Sequence, residues 1–383
     1  MCLKASINDK GAILLGEGVA CDSYDLTRPL RVVTHAHYDH LNGLQQSLRN
    51  CEAVIMTPAT RDLLEVLRGP SALINGNVKT LSYGETLSLD NEHLTLCRAD
   101  HILGAAQVLV EDEEGTRCVY TGDFRLSQTP IIEADVLVIE ATYGNPFQVR
   151  PFENIVEDVL ISLVESGLKR GPVYVFGYHG KLQELMQILY QNKVNAPFIV
   201  PEKVFNAAKI CECHGMRLGK YLLSNDEEAK TIIEKNEPYV AFHHMNSRRY
   251  VGREAFRISV SGWEFNSPKR QIADNEYIIA LSDHADFNGL LRYVKESKPK
   301  LVITDDYRVG NAKVLAKEIT KQLGIKAKAM PELRQAHHID TGPYNATSRK
   351  GSETDENTMR KRVQKTMETT KKSFRVKNID FYC

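Results

Sequence analysis

Short apolar runs of strand-like composition dominate the first part of the chain, and a different pattern follows them. Leu30 to Thr34 form a β-branched apolar run, and residues 106–121 predict a hairpin of QVLVE and TRCVY around the turn DEEG. Between Tyr143 and about Gln271, helical segments alternate with short strands. Such alternation is typical of an α/β unit with a largely parallel sheet, so this segment is predicted to be a domain inserted into the first one.

Hydrophobic periodicity also predicts individual elements of the insertion and of the segment that follows it. In the insertion these are helices at 151–168, 180–191 and 203–210 and strands at 173–176 and 197–200. The chain then returns to the first domain, with strands at 277–281 and 301–304 and helices at 286–297 and 310–323. The predicted organisation is a first domain of residues 1–145 and 272–335 and an insertion of residues 146–271, with a cleft between them that suits a substrate.

Composition narrows the class of protein. The 383 residues, 42% of them hydrophobic, suffice for roughly two to three domains without disulfide bridges. Because 49 basic and 49 acidic side chains balance, there is no broad positive field, and a polyanionic partner must be held locally. Eight cysteines without a CxxC pair or a secretory leader predict reduced thiols in a cytoplasmic protein. No apolar run reaches the roughly 18 to 20 residues that cross a bilayer, so no membrane partner is expected.

Metal-ligating residue types are concentrated directly after the first β-branched run. His35, His37, Asp39 and His40 lie within six residues, in LRVVTHAHYDHLNGL. A buried strand that ends in a turn, with a helix beginning near His40, would direct these side chains to one place outside the sheet edge. Neutral imidazole and carboxylate are ligands that zinc prefers. The alternative is a histidine-rich surface loop, which two later motifs disfavour.

Those two motifs also lie at predicted strand ends. His101 stands in LTLCRADHILGAAQVLVE and Asp123 in TRCVYTGDFR, although an aspartate in such a place can also be a turn residue or a helix cap. The six side chains together suffice for two cations. One would take His35, His37 and His101, the other Asp39 and His40, with Asp123 as the bridge. Two metals held in this way suit phosphodiester hydrolysis by a metal-activated hydroxide.

The same residues carry a resemblance to a known family. HAHYDH resembles the His-x-His-x-Asp-His signature of the metallo-β-lactamase fold, and Asp22 in VACDSYD, His101 and Asp123 fall where other motifs of that family fall. VLVIEATYG, GYHGKLQEL, SGWEF and IIALSDHADFNGLL extend the resemblance, over roughly residues 8–330, to the β-CASP nucleases that process DNA or RNA. Within them it is similar to the exonuclease-like proteins of archaea and bacteria, some associated with DNA ligase. The resemblance implies an α/β fold, an αββα sandwich with an inserted α/β β-CASP domain.

It also implies a two-zinc site and roles for individual residues. Glu140 and His284 would lie opposite the metals as a general-acid pair, with Glu140 orienting the imidazolium that protonates the leaving oxygen. Asp39 would serve in catalysis as well as in metal binding, and Asp22 would support the ligands from behind. The expected cofactor is two Zn2+ per chain.

One position departs from the family pattern. RNA-processing members carry a histidine at the end of the strand after the S-x-H helix, and members acting on DNA often have an apolar residue there. KPKLVITDDYRVG instead places Asp305 at this position. Asp305 can be a ligand of the second metal, a partner of His40 or a polar strand end, and these readings stay open. We include it among the candidate metal ligands, and the choice between DNA and RNA stays open as well.

Two further features offer contacts to a phosphate backbone. Gly180 and Lys181 stand at a strand-to-helix turn, where they can hold a substrate phosphate or be a solvated helix start. The nearby His179 and the pair His243 and His244 are expected to be satisfied or surface imidazoles. The tail, predicted as basic and disordered or loosely helical over 340–383, carries ten Lys or Arg against five Asp or Glu from residue 349 onward. It either adds contacts to nucleic acid or is a solvated end.

Taken together, these features predict a zinc-dependent nuclease of nucleic-acid processing or repair, with an exonuclease expected from the branch it resembles. One alternative is another hydrolase of the same fold, acting on a thioester or lactone, which would need none of Glu140, His284 or the insertion. The other is a catalytically silent subunit of a processing complex, although such proteins usually lose metal ligands. The sequence leaves open the polymer, exonuclease against endonuclease, the polarity of digestion and the oligomeric state.

Overall fold

Three β-sheets organise the computed structural model, which describes residues 4–74 and 76–332. The first sheet has the order β1 (Ala5–Ile7), β2 (Ile13–Leu15), β3 (Val19–Cys21), β4 (Leu30–Val32), β5 (Ala53–Met56) and β6 (Val78–Thr80). The second has the order β20 (Ala327–Met330), β19 (Leu301–Asp305), β11 (Val136–Ile139), β10 (Arg117–Tyr120), β9 (Ala106–Asp112), β8 (Glu92–Arg98) and β7 (Thr86–Leu89). The third has the order β14 (Tyr221–Leu223), β13 (Phe198–Val200), β15 (Val240–His244), β12 (Val173–Gly177), β16 (Phe256–Val260), β18 (Glu276–Ile279) and β17 (Lys269–Ala273).

The α-helices of the described residues are α1 (Leu44–Asn50), α2 (Pro58–Arg68), α3 (Val156–Leu168), α4 (Lys181–Gln191), α5 (Glu202–Cys213), α6 (Glu227–Glu234), α7 (Phe287–Ser297) and α8 (Ala312–Leu323). The helices predicted from residue 151 onward and the hairpin at 106–121 are confirmed. The predicted helix after the turn is present, but its predicted start near His40 is wrong. Residues Tyr38–His40 form a single 3-10 turn, and α1 begins only at Leu44 because Gly43 adopts a positive φ of 66° that interrupts the helical path.

Side-chain alternation explains why the first two sheets pack face to face. Ala53 and Ile55 of β5 lie in an apolar core that also contains residues of β8, β9 and β10. Val54 and Met56 point to the opposite face, into the core formed with α1 and α2. The second sheet alternates in the same way between the shared core and the core that contains α7 and α8. The predicted αββα sandwich is therefore confirmed.

The third sheet belongs to the inserted segment. Its strands run parallel except for β17, as the alternating helix and strand pattern predicts. The boundary predicted between residues 271 and 272 falls inside β17, and β18, predicted to begin the return, pairs in parallel with β16. Because hydrogen bonding assigns both strands to the third sheet, we propose that the chain returns to the first domain after Ile279.

Strand direction brings the candidate loops to one edge. Strands β8, β10, β11 and β19 of the second sheet all point the same way, so the residues that follow them emerge together. The turn after β4 reaches the same edge, where the carbonyl of Thr34 accepts a hydrogen bond from the backbone N–H of Ala106. The fold thus supplies several loops to one place, and sheets hold loops of this kind rigidly.

Two predictions concern other parts of the chain. The basic tail predicted at 340–383 lies outside the described residues. In the part of the chain that the structure describes, every helix is too short or too polar to cross a bilayer.

A buried arginine stabilises the turn that carries the candidate ligands. Arg31 of β4 is fully buried and donates hydrogen bonds to the carbonyls of His40 (3.0 Å) and Asn42 (3.0 Å) and to the hydroxyl of Ser47 (3.1 Å). Burial lowers the pKa of this guanidinium to about 10. A charged group is retained in the interior because its donors satisfy carbonyls that the turn leaves unpaired.

We therefore expect Arg31→Met to reduce the free energy of unfolding by about 3 kcal/mol, because it leaves buried carbonyls without donors. Urea unfolding followed by circular dichroism measures the change. The matched control is Arg292→Met, since the Arg292 side chain is 66% exposed and its loss should change stability by no more than about 0.5 kcal/mol. Equal effects of the two substitutions would contradict the role given to Arg31.

Candidate metal centre and acid–base pair

Asp22 holds the ligand turn from behind. Its carboxylate is fully buried and accepts hydrogen bonds from the backbone N–H of Thr34 (2.8 Å), the Thr34 hydroxyl (2.7 Å) and Nδ1 of His40 (2.7 Å). Because Nδ1 of His40 is engaged in this way, Nε2 is the nitrogen that this ring presents to the site. The structure places Asp22 where the sequence expects a supporting residue.

Three imidazoles converge beside this turn. His35, His37 and His101 each offer one ring nitrogen, and these nitrogens lie within 4.8 Å of one another. Nε2 of His37 donates a hydrogen bond to the backbone carbonyl of His179 (3.3 Å). Nδ1 of His101 donates one to the backbone carbonyl of Asp283 (3.0 Å). A neutral imidazole has one N–H, so Nδ1 of His37 and Nε2 of His101, which are 3.0 Å apart, present lone pairs to each other. Two lone pairs at this distance repel unless a cation binds both.

Asp123 lies among the remaining ligand atoms. Its Oδ2 is 3.2 Å from Nε2 of His40, 3.7 Å from Nε2 of His35 and 3.8 Å from Nε2 of His101. Donors bound at about 2.1 Å to one tetrahedral zinc ion are about 3.4 Å apart, so these spacings suit a shared metal. Nε2 of His35 and of His40 are buried without a hydrogen-bond partner among the described residues, which is rare for polar atoms. This donor set fits a divalent metal centre.

The protonation of His35 and His101 agrees with metal binding, whereas His40 holds a proton that a cation has to displace. Burial lowers the pKa of His101 to about 3, and burial together with neighbouring imidazoles lowers the pKa of His35 well below its usual value. Burial also opposes protonation of His40, but the carboxylates of Asp123 and Asp22 outweigh it and raise the pKa of His40 to about 10. Neutral rings offer the lone pairs that metal binding requires, and at His40 a bound cation would replace the proton.

Asp39 differs from the other predicted ligands in its exposure. Its side chain is 64% exposed, with Oδ2 3.6 Å from Nε2 of His40. The compact clusters of possible ligand atoms are formed without it, by His35, His37, His40, His101, Asp123 and His284. Asp39 therefore lies at the mouth of the site, within reach of the buried ligands and of solvent.

Glu140 and His284 form the predicted pair next to this cluster. Oε2 of Glu140 accepts a hydrogen bond from Nδ1 of His284 (2.9 Å), and Oε1 accepts one from the backbone N–H of Phe124 (2.8 Å). The His284 ring centroid is 4.8 Å from that of His101. Burial opposes protonation of His284, but the charge and hydrogen bond of Glu140 raise its pKa to about 10. The imidazolium thus keeps a proton on Nε2, beside the ligand cluster.

Asp305 is not brought to the ligand cluster. Its Oδ2 accepts a hydrogen bond from Nη1 of Arg308 (2.7 Å), and its Oδ1 accepts from the backbone N–H of Tyr307 (2.9 Å). Both side chains of the Asp305–Arg308 pair are buried, and the clusters of possible ligand atoms do not include Asp305. The expectation that Asp305 is a metal ligand is thus corrected, because an arginine three residues later already neutralises its charge. The geometry agrees with a polar strand end.

Gly180 and Lys181 are not free to hold a phosphate either. The N–H of Gly180 donates to Oε1 of Gln183 (2.9 Å), which caps α4. The Lys181 side chain is only 8% exposed, and its Nζ lies 2.6 Å from Glu184 and 3.5 Å from Asp283. Both groups serve contacts within the chain, so the structure argues against the phosphate contact considered from the sequence.

Several residues that support the site escape sequence reasoning. The carbonyls of His179 and Asp283 orient two ligands, but a backbone carbonyl has no sequence signal. Arg31 does have a sequence signal, since it is a single charge inside the apolar run LRVV.

His244, expected to be a satisfied or surface imidazole, packs on Tyr178 and accepts a hydrogen bond from the backbone N–H of Asn246.

The different places of Asp123 and Asp305 lead to a prediction. We expect Asp123→Ala to reduce the amount of divalent metal bound per chain, because it removes the carboxylate that lies among the ligand nitrogens of three histidines. Asp305→Asn should leave the metal content unchanged but lower the free energy of unfolding by about 3 kcal/mol, because Arg308 loses its buried counter-charge. Inductively coupled plasma mass spectrometry and urea unfolding measure the two quantities. If the Asp305→Asn protein is fully folded but binds less metal than the unaltered protein, Asp305 is a ligand after all.

Comparisons with known proteins agree with this geometry. A family model described as the Beta-lactamase superfamily domain matches residues 27–162. The chain is 41% identical over 138 residues to a protein of Acidianus ambivalens described as "Uncharacterized protein in lig 3'region", covering 36% of this chain and 99% of that one. A solved structure of a protein of unknown function from Enterococcus faecalis V583 has a similar fold, with a TM-score of 0.55 at 14% identity over 81% of each chain.

Two longer relatives match with lower identity or coverage. The "Probable DNA ligase" of Opitutus terrae is 28% identical over 290 residues, which is 71% of this chain and 26% of that protein. The "RNase aCSPSF2" of Saccharolobus solfataricus is 30% identical over 230 residues, which is 50% of this chain and 46% of that protein. The chain thus spans less than half the length of these two relatives. From these matches and the geometry of its site, the chain belongs to the β-CASP nuclease family of the metallo-β-lactamase superfamily.

Proposed function

We propose that this protein is a metal-dependent nuclease that hydrolyses phosphodiester bonds in DNA or RNA. The observation that carries the proposal is the contact between the Glu140–His284 pair and the metal-ligand cluster, with His284 and His101 ring centroids 4.8 Å apart. A poor leaving group such as a sugar alkoxide needs a proton as its bond to phosphorus breaks. A thiolate leaves without one, so a thioester hydrolase has no use for this pair.

The ligand set is proposed to hold two Zn2+ ions. His35, His37 and His101 would bind one, Asp39 and His40 the other, and Asp123 both. Divalent ions bound there supply the Lewis acidity that activates water and neutralises charge on phosphoryl oxygens. Convergence of the buried ligand atoms argues against a catalytically silent subunit, since a protein without metal gains nothing from unpaired buried nitrogens.

His284 is proposed to protonate the leaving oxygen. Glu140 holds Nδ1, so the proton available to a substrate is on Nε2 of this side chain, which is 19% exposed. The Phe124 N–H fixes Glu140 in turn, and Glu140 keeps the His284 ring oriented and favours the charged imidazolium. Asp39, the exposed carboxylate at the mouth, would meet water and substrate together.

Exposed aromatic rings near the site support a polynucleotide substrate. Trp263 is half exposed and packs edge-on against Tyr143, whose ring also contacts His284. Tyr178, 56% exposed, precedes the residue whose carbonyl holds His37. Exposed rings of this kind stack on nucleotide bases without sequence preference. The names of the relatives, an RNase and a DNA ligase, point to the same class of substrate.

Incubating the zinc-loaded protein with end-labelled single-stranded and duplex DNA and RNA tests this function. We expect at least one polymer to be cleaved, and mononucleotides released from one end would identify the exonuclease expected from the sequence. Asp39→Ala should abolish cleavage without unfolding the protein. Survival of all four substrates, with cleavage of a thioester or a lactone instead, would overturn the proposal.

The general acid has a sharper test. We expect His284→Ala to lower kcat on a polynucleotide about 10²- to 10⁴-fold, because no group then protonates the alkoxide. On thymidine 5′-p-nitrophenyl phosphate the loss should be far smaller, because nitrophenolate leaves without a proton. His93→Ala, which alters an exposed histidine on β8, is the control and should match the unaltered protein. Equal losses on both substrates would argue that His284 is not the acid.

A further inference from the structure

Five charged side chains form a continuous network beside the metal-ligand cluster, called here the Lys181 network: Asp100, Arg125, Lys181, Glu184 and Asp283. Arg125 binds Asp100 through two nitrogens, at 3.0 and 3.2 Å, and Glu184 through a third contact at 2.8 Å. Lys181 lies 2.6 Å from Glu184 and 3.5 Å from Asp283. All five side chains are at most 19% exposed, so the charges interact with little screening by solvent.

Members of the network adjoin residues of the site along the chain. Asp100 precedes His101, Arg125 follows Asp123 by two positions, and Asp283 precedes His284. Lys181 and Glu184 lie on α4, which begins two residues after His179. The network therefore joins α4, the helix that follows β12 of the third sheet, to the loops that carry His101, Asp123 and His284.

Two backbone carbonyls connect the network to the candidate metal ligands by accepting hydrogen bonds from their imidazole rings. The carbonyl of Asp283 accepts the Nδ1 hydrogen of His101 (3.0 Å), and that of His179 accepts the Nε2 hydrogen of His37 (3.3 Å). Partners of this kind fix the tautomer and direction of a ligating imidazole, and their loss typically weakens metal binding about 10- to 100-fold. Both carbonyls belong to turns at the carboxyl ends of third-sheet strands, β12 and β18.

We propose that Lys181 and Glu184 are positioning residues of the metal centre, which keep His101 and His37 aligned by holding these two turns. The proposal rests on the metal site proposed above. Lys181 neutralises Glu184 and Asp283, two carboxylates that would otherwise repel each other at the junction. Glu184 completes the arrangement by binding Arg125, which also donates to the carbonyl of Ser282 (3.4 Å) beside Asp283.

The test measures zinc affinity without any substrate. Metal-free unaltered protein, Lys181→Met and Glu184→Gln are titrated with Zn2+ against a chromogenic chelator. We expect the zinc Kd to rise about 10- to 100-fold for Lys181→Met and in the same direction for Glu184→Gln. Because the two residues act as one unit, the double variant should lose little more than the worse single variant. With Co2+, the visible absorption of Lys181→Met should shift, because the ligand geometry changes.

Controls separate positioning from general stability. Lys181→Arg retains the charge and should keep the zinc Kd within threefold of the unaltered value. Glu227→Gln breaks an exposed ion pair with Lys230 on α6 and should leave the zinc Kd unchanged. A thermal midpoint that falls in Lys181→Met while the zinc Kd stays within twofold would reduce the network to a structural one and overturn the proposal. A raised KM for nucleic acid at an unchanged zinc Kd would also overturn it, by making Lys181 a substrate contact.

The outcome is independent of nuclease activity. If the zinc Kd rises as expected but the unaltered protein cleaves no polynucleotide, the proposed function fails and the positioning role stands. If the unaltered protein cleaves nucleic acid but Lys181→Met binds zinc normally, the positioning role fails and the function stands. Unaltered protein that binds no zinc would overturn the metal site and this inference together.

Discussion

The Asp123 carboxylate and the imidazole nitrogens around it form the contact at the centre of the site. Its Oδ2 lies within 3.8 Å of ring nitrogens of His35, His40 and His101, and two of those nitrogens have no hydrogen-bond partner in the part of the chain that the structure describes. Unpaired buried polar atoms destabilise a fold by a few kcal/mol each unless a ligand satisfies them. The chain can hold them only because three sheets direct rigid loops to one edge and because Asp22, Arg31 and the carbonyls behind the rings prevent relaxation.

The balanced charge of the chain gains a specific meaning from this arrangement. Several cations are used inside the protein: Arg31 binds carbonyls, Arg308 neutralises Asp305, and Arg125 and Lys181 hold the network beside the site. These groups do not contribute to a field that attracts polyanions from a distance. Recognition of nucleic acid therefore falls to the metal centre, the acid pair and the exposed aromatic rings, which act at short range.

Some errors of sequence reasoning share one physical cause. The apolar pattern of β18 correctly indicates a strand, but hydropathy does not say which strand it pairs with, and the third sheet rather than the second takes it. Asp305 illustrates the same limit at a single residue, because the sequence leaves a metal ligand, a partner of His40 and a polar strand end equally open, and the bond to Arg308 is visible only in the structure. The sequence leaves Lys181 as either a phosphate contact or a solvated helix-start lysine, and its contacts with Glu184 and Asp283 are visible only in the structure.

Local residue patterns were enough to predict many of the helices and strands and the chemistry of the candidate ligands. Strand and helix periodicity depends on neighbours a few residues apart. The types and spacing of His35, His37, Asp39 and His40 can be read directly from six consecutive positions. Which ring nitrogen of His37 and of His101 faces the site depends instead on tertiary contacts. That choice is made by the carbonyls of His179 and Asp283, 142 and 182 residues away along the chain. Contacts over such separations follow from packing of whole sheets, which no local pattern of residues encodes.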